Sequence, residues 1–95
     1  MTGTTRSSTG LEIRQRKLLF RSWHRGLREL DLVLGTFADA VVGDLTEEEV
    51  EQYERLLEIP DTDLLSWIMG DRAMPAEYYS PLFERIVTFR REMTF

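Results

Sequence analysis

The chain of 95 residues contains no cysteine. A disulfide scaffold, a cysteine nucleophile and a thiolate metal site are therefore excluded within it. A single histidine, His24, rules out a histidine-clustered zinc site and a two-histidine mechanism. No apolar run approaches the ~20 residues that a membrane span requires, so membrane insertion is not expected. The glycines at 26, 35, 43 and 70 are too scattered to cradle a phosphate, and there is no nucleophile elbow. No run alternates with period two between hairpin turns, which removes the strand signal. Positive charge is not in surplus either. Twelve basic side chains against seventeen acidic ones leave −5, which disfavours a general nucleic-acid binder.

What is present suffices for one core. The hydrophobic fraction is 42% and the aromatic fraction 11%, and a chain of this length buries roughly two-thirds of the surface its unfolded form exposes. Residues 1–10 (MTGTTRSSTG) have too little apolar surface to offset their ordering entropy and are expected to form a disordered tail before a single domain over 11–95. They contain no apolar segment of the kind a secretory signal needs. The charge is unevenly placed. Residues 1–28 carry seven basic side chains and one acidic one, a net +6, whereas residues 29–95 carry five basic and sixteen acidic, a net −11. A basic head on an acidic body suggests a partner surface.

From Leu11 onward the pattern is helical. A first segment runs from about Leu11 to Trp23, with Leu18, Leu19 and Phe20 among its apolar residues, and Gly26 interrupts it. In the second, Leu27, Leu30, Leu34, Phe37, Ala38 and Val41 form a stripe at helix period that ends at Gly43 and Asp44. The third has the clearest start: Thr46 and Glu49 are spaced for a capping box, and Leu45 and Val50 for a hydrophobic staple. Val50, Tyr53 and Leu57 share its apolar face, and Pro60 stops it. A short fourth helix follows Asp61 or Thr62 and ends at Gly70, a natural left-handed stop. Residues 70–77 read as a loop. The last helix is led by Pro81, with Ser80 as its cap and a looser turn before it, and carries Tyr78, Tyr79, Leu82, Phe83, Ile86, Val87, Phe89 and Met93. The expectation is an all-α fold: a small antiparallel five-helix bundle with short loops.

No catalytic constellation stands out. The glutamates from Glu47 to Glu58 read as the exposed face and first turn of one helix. His24 has neither a second ligand nor a base nearby and reads as a surface residue at a helix end. The unusual patch is the first junction, from Arg21 to Asp31. Gly26 there can take a left-handed conformation or admit another backbone closely. Arg25 and Arg28 offer planar donor sets suited to carboxylates and carbonyls. Glu29 and Asp31 lie where a helix dipole stabilises carboxylates. A helix corner with weak local ion pairs explains the same residues. Trp23 and Trp67 fit the core, and equally fit interface hot spots.

This patch also carries a resemblance. The run Arg25-Gly26-Leu27-Arg28-Glu29-Leu30-Asp31 resembles the RGxxE-x-D signature of the succinate dehydrogenase FAD assembly factors, found in bacteria and mitochondria. The likeness extends from about Arg16 to Met93, through RKLLFRSWHRG, LTEEEVEQYERLLEIPDTDLLSWIMG and MPAEYYSPLFERIVTFR. Arg25, Gly26 and Glu29 match the motif and Asp31 the following acid, while Leu27 stands where methionine is commoner, a volume-conserving exchange. The resemblance implies a five-helix bundle that is not an enzyme. It implies a chaperone of the flavoprotein subunit of succinate dehydrogenase, and in bacteria of fumarate reductase also, that promotes covalent attachment of FAD to a histidine of that subunit; a monomer is expected. It implies a bacterial cytoplasmic location, or alternatively the mitochondrial matrix. Arg25, Gly26, Glu29 and Asp31, with Arg21, Trp23, His24 and Trp67 around them, are the expected partner-binding residues. The corner is expected to dock where the FAD-binding and capping domains of the partner meet.

Two other classes compete. A helix-turn-helix nucleic-acid-binding regulator would use the basic first helix, but the −11 body opposes it. A small flavin enzyme would need a pocket, and there is no dinucleotide fingerprint and no strand to carry one. No stable FAD binding, no other cofactor and no metal are expected.

Overall fold

The computed structural model describes residues 12–93. The expected tail at 1–10, and Leu11, lie outside the described residues. Five α-helices form the domain: α1 (Ile13–Trp23), α2 (Arg28–Val41), α3 (Glu47–Leu56), α4 (Asp61–Met69) and α5 (Pro81–Glu92). Single turns of 3-10 helix occupy Val42–Asp44 and Ala76–Tyr78, and no strand occurs among the described residues. The α1–α2 pair packs most extensively, α5 lies against α2, α3 and α4, and α3 touches α1.

The local signals explain most boundaries. At the start of α3, Thr46 Oγ1 accepts from the Glu49 amide at 3.1 Å and Glu49 Oε1 accepts from the Thr46 amide at 3.0 Å. Leu45 and Val50, on either side of that box, are both buried. At α5, Ser80 Oγ accepts from the Phe83 amide at 3.2 Å, and Pro81 takes the first helical position, where its missing N–H costs nothing. The looser turn before it is the Ala76–Tyr78 segment. Gly70 ends α4 at φ +82. The Asp71 amide then bonds back to the Ser66 carbonyl at 2.9 Å and the Gly70 amide to Trp67 at 3.3 Å, the backbone-only closure of a helix end.

The core is a continuous apolar cluster that includes Leu18, Leu30, Leu34, Phe37, Tyr53, Leu64, Leu82 and Ile86, each at most 1% exposed. Within it lies one polar junction. Ser22 is fully buried, and its hydroxyl meets that of Tyr53 at 2.5 Å. The Tyr53 hydroxyl also donates to the Leu34 carbonyl at 3.3 Å. A carbonyl only accepts, so the single proton of Tyr53 goes there and Ser22 is the donor to Tyr53. Burial raises the Tyr53 hydroxyl pKa well above its ordinary value, against the opposing pull of the Ser22 bond.

Two expectations are corrected. Phe20, read as apolar content of α1, is 62% exposed, because it falls on the face of α1 away from Leu18 and Leu19. Tyr78 and Tyr79, assigned to the last helix, precede it and are 45% and 54% exposed. Pro81 can only open a helix, so they are left in the connection.

Candidate functional site: the α1–α2 corner

The corner is built from both ends. His24 closes α1 and is exposed. Its ring stacks on Phe20 at 4.0 Å between centroids, and Nδ1 lies 2.6 Å from the Phe20 carbonyl. That nitrogen therefore carries the proton. Gly26 then adopts φ +101, a conformation that side chains with a Cβ rarely take. Asp31, in the first turns of α2, reaches back over the corner. Its Oδ1 accepts from the Arg25 amide at 2.7 Å and the Gly26 amide at 3.2 Å. The left-handed glycine is thus held by a carboxylate and not by a helix end.

Arg25 is turned inward. Its side chain is only 11% exposed. Nη1 donates to the Leu57 carbonyl at 2.7 Å and Nη2 to the Ile59 carbonyl at 3.0 Å. Nε and Nη2 both reach Asp61 Oδ1, at 2.9 and 2.7 Å. Arg21 adds a bond to the Leu57 carbonyl at 3.2 Å and an ion pair with Glu58 at 3.0 Å. The two arginines therefore clamp the turn between α3 and α4, whose carbonyls follow a helix end and would otherwise lack donors. A guanidinium fork suits this better than an ammonium, since it serves three acceptors from one plane. The expectation that Arg25 offers its donors to a partner meets a physical obstacle: those donors are already engaged.

What the corner leaves open is different. Gly26, Arg28 and Glu29 are exposed, and neither Arg28 nor Glu29 has a side-chain partner among the described residues. A Cβ at Gly26 would meet nothing within 4 Å, so the space over it is free. Trp23 is half-buried. Its indole lies flat on Gly35 of α2, so close that a Cβ at position 35 would collide with the ring. Its N–H is enclosed with no acceptor among the described residues. Gly35 is a supporting residue that the sequence reading passed over, although a glycine inside an apolar helical stripe marks such a close approach. Asp61 was likewise missed as the partner of Arg25.

Trp67 is not part of the corner. It sits on α4 and stacks on Tyr78, with ring centroids 5.6 Å apart and planes 27° apart. The α3–α4 turn links the two: Arg25 holds the Ile59 carbonyl, and Ile59 lines the same hollow as Trp67.

Part of the uneven charge of the sequence is paired inside the fold. Arg14 pairs with Glu54 at 2.7 Å and Glu47 at 2.9 Å, Arg21 with Glu58, and Arg25 with Asp61. Head and body thus complement each other. The Arg14 hydrogen bond holds the Glu54 carboxyl below its usual range. Glu49 is lowered too, first by the Thr46 amide and then by Arg85. Among the described residues, no group of three or more His, Cys, Asp or Glu could hold a metal, and no helix is long and apolar enough to cross a membrane.

Fold and corner together define a class: a small helical binding module whose distinctive feature is a rigid, glycine-topped surface corner. The chain matches the family described as flavinator of succinate dehydrogenase over residues 16–90 and belongs to that family. It is 39% identical over 77 residues to a protein named FAD assembly factor SdhE from Acetobacter pasteurianus, covering 81% of this chain and 71% of that one. It is 36% identical over 76 residues to a mitochondrial succinate dehydrogenase assembly factor 2 of Dictyostelium discoideum, covering 80% and 54%. A homonymous protein of Scheffersomyces stipitis is 39% identical over 62 residues, covering 65% and 42%. The chain thus spans about half or less of these two mitochondrial relatives. No solved structure matches it.

Proposed function

We propose that this chain is an assembly factor that holds the flavoprotein subunit of succinate dehydrogenase while FAD becomes covalently attached to it. The observation that carries the reading is the exposed Gly26–Glu29 edge, kept in shape from behind by Asp31 and Arg25, in a member of the flavinator family. Gly26 lets the partner backbone approach, and the free Glu29 carboxylate accepts from partner amides or an arginine. Arg25 acts by positioning the edge. The edge docks where the FAD-binding and capping domains of the subunit meet, and so orients FAD near its acceptor histidine. The chain itself catalyses nothing, binds no FAD stably and works as a monomer. The fumarate reductase flavoprotein is a further client, and the site of action is the bacterial cytoplasm or the mitochondrial matrix, where such subunits lie. Nothing in the fold or the relatives supports the nucleic-acid regulator.

The test is co-expression with the flavoprotein subunit, reading covalent flavin on the captured subunit. Wild-type chain should raise flavinylation. Gly26→Arg and Glu29→Ala should lower it at least tenfold while the chain stays folded. Unchanged flavinylation with both variants would sink the reading.

A further inference from the structure

Away from the corner edge, the surface carries two adjoining hollows. A hollow of about 410 Å³ is lined by Arg55, Ile59, Pro60, Trp67 and Tyr78, with Glu58 and Asp63 on its rim. It continues past Arg55, Ile59 and Tyr78 into a smaller one of about 160 Å³, which Tyr79 and Pro81 also line. The walls include three aromatic rings and two prolines, with Trp67 and Tyr78 stacked and Tyr78 and Tyr79 about half exposed.

The charges around the larger hollow are asymmetric. Glu58 is neutralised by Arg21 and Asp63 by Arg72. Arg55 is exposed, and its side chain has no partner among the described residues. It also lies in the last turn of α3, where its charge suits the helix dipole. The larger hollow thus offers flat apolar faces beside one uncommitted guanidinium. Glu77, in the smaller hollow, is exposed and repels a second negative charge there.

We propose that this groove binds an extended peptide segment of the client in which a proline or aromatic residue adjoins an aspartate or glutamate. The ring packs against Trp67 and Tyr78, and the carboxylate takes a forked hydrogen bond from Arg55. Trp, Tyr and Arg are the residue types that carry most binding energy at interfaces. The proposal rests on the client reading above and adds a second anchor to it. The two anchors share a frame, because Arg25 grips the Leu57–Ile59 carbonyls of the turn whose Ile59 and Pro60 line the groove. A client held at both points cannot pivot on the Gly26 edge.

The test uses the full chain and the isolated flavoprotein subunit. Affinity is measured for wild type, Arg55→Glu, Tyr78→Ser and Gly26→Arg, with circular dichroism confirming that each is folded. A photo-crosslinking amino acid at position 79 identifies the client segment. At least tenfold weaker binding by Arg55→Glu and by Tyr78→Ser is expected, with a crosslinked segment holding an acidic residue next to a proline or aromatic one. Less than a twofold change in both variants overturns the groove. So does a crosslink to a segment without that pairing, or quenching of tryptophan fluorescence by free FAD that Tyr78→Ser abolishes. If Gly26→Arg weakens binding while the groove variants do not, the groove falls and the client reading stands. If wild-type chain fails to bind the subunit, both fall.

Discussion

Gly26 and Gly70 are the two left-handed glycines among the described residues, at φ +101 and +82, and a Cβ on either would meet nothing within 4 Å. Their surroundings differ. Gly70 is satisfied by its own helix end, through backbone bonds to Ser66 and Trp67 alone. Gly26 follows a helix that has already closed at His24, and its conformation is held by the Asp31 carboxylate beside an arginine anchored elsewhere in the chain. One glycine punctuates; the other is mounted. A positive φ therefore does not distinguish a site. Side chains recruited to hold an exposed turn in place do.

Removing the mount is the strongest way to break this contrast. Arg25→Ala leaves the Ile59 carbonyl and Asp61 without their donor and the Leu57 carbonyl with the longer Arg21 bond alone, and is expected to cost about 2–4 kcal/mol in urea denaturation. Arg21→Ala, whose pair with Glu58 is far more exposed, should cost less than about 1 kcal/mol. Equal losses would mean that Arg25 anchors nothing. Next in size is Gly35→Ala. It gains helix propensity but drives a methyl into the Trp23 ring, for a net loss of about 1–3 kcal/mol and a shift in tryptophan emission. No counterpart exists near Gly70, so this substitution probes the corner alone.

Gly26→Ala and Gly70→Ala sharpen the contrast further. Each forces a Cβ into left-handed backbone, and each should lose about 1–2 kcal/mol of stability. Only the Gly26 variant should also reduce client flavinylation. The smallest effect is expected from acid. Glu49 and Glu54 have lowered carboxyl pKa values in the folded chain, so their contributions are present above the ordinary value of 4.5 and fade as the pH falls through the folded values. A stability profile flat down to pH 5 and falling below 4.5 should result. Glu54→Gln should shallow that fall, whereas the Gly26 and Gly70 variants should leave its shape unchanged.

The helices were legible because their signals are local. Thr46 with Glu49, Ser80 with Pro81, and Gly70 each announce an end within four residues. The left-handed fitness of Gly26 and the family likeness of the corner were legible for the same reason. The direction of Arg25 was not. Its acceptors lie 32 to 36 residues away in sequence: two carbonyls of the α3–α4 turn and the acid that opens α4, which no periodicity places beside it. Trp67 had two readings for a related reason: its helix pattern is consistent with the core, and its partner Tyr78 is put beside it only by the path of the α4–α5 connection. The charge imbalance was legible as arithmetic, but the pairing of Arg14, Arg21 and Arg25 with acids of α3, the turn after it and the start of α4 was not.

The buried hydroxyl pair has a mechanical consequence. Ser22 lies on α1, three residues before Arg25, and Tyr53 on α3, four before Leu57. If α1 slid along α3 by one helical turn, about 5.4 Å, the buried Ser22 hydroxyl would lose its acceptor, and Tyr53 would keep only its bond to the Leu34 carbonyl. Apolar contacts alone would tolerate such slippage far better. Ser22 and Tyr53 thus act as a vernier: they set the sliding register of the two helices, and with it the reach of every bond that Arg25 makes across the turn.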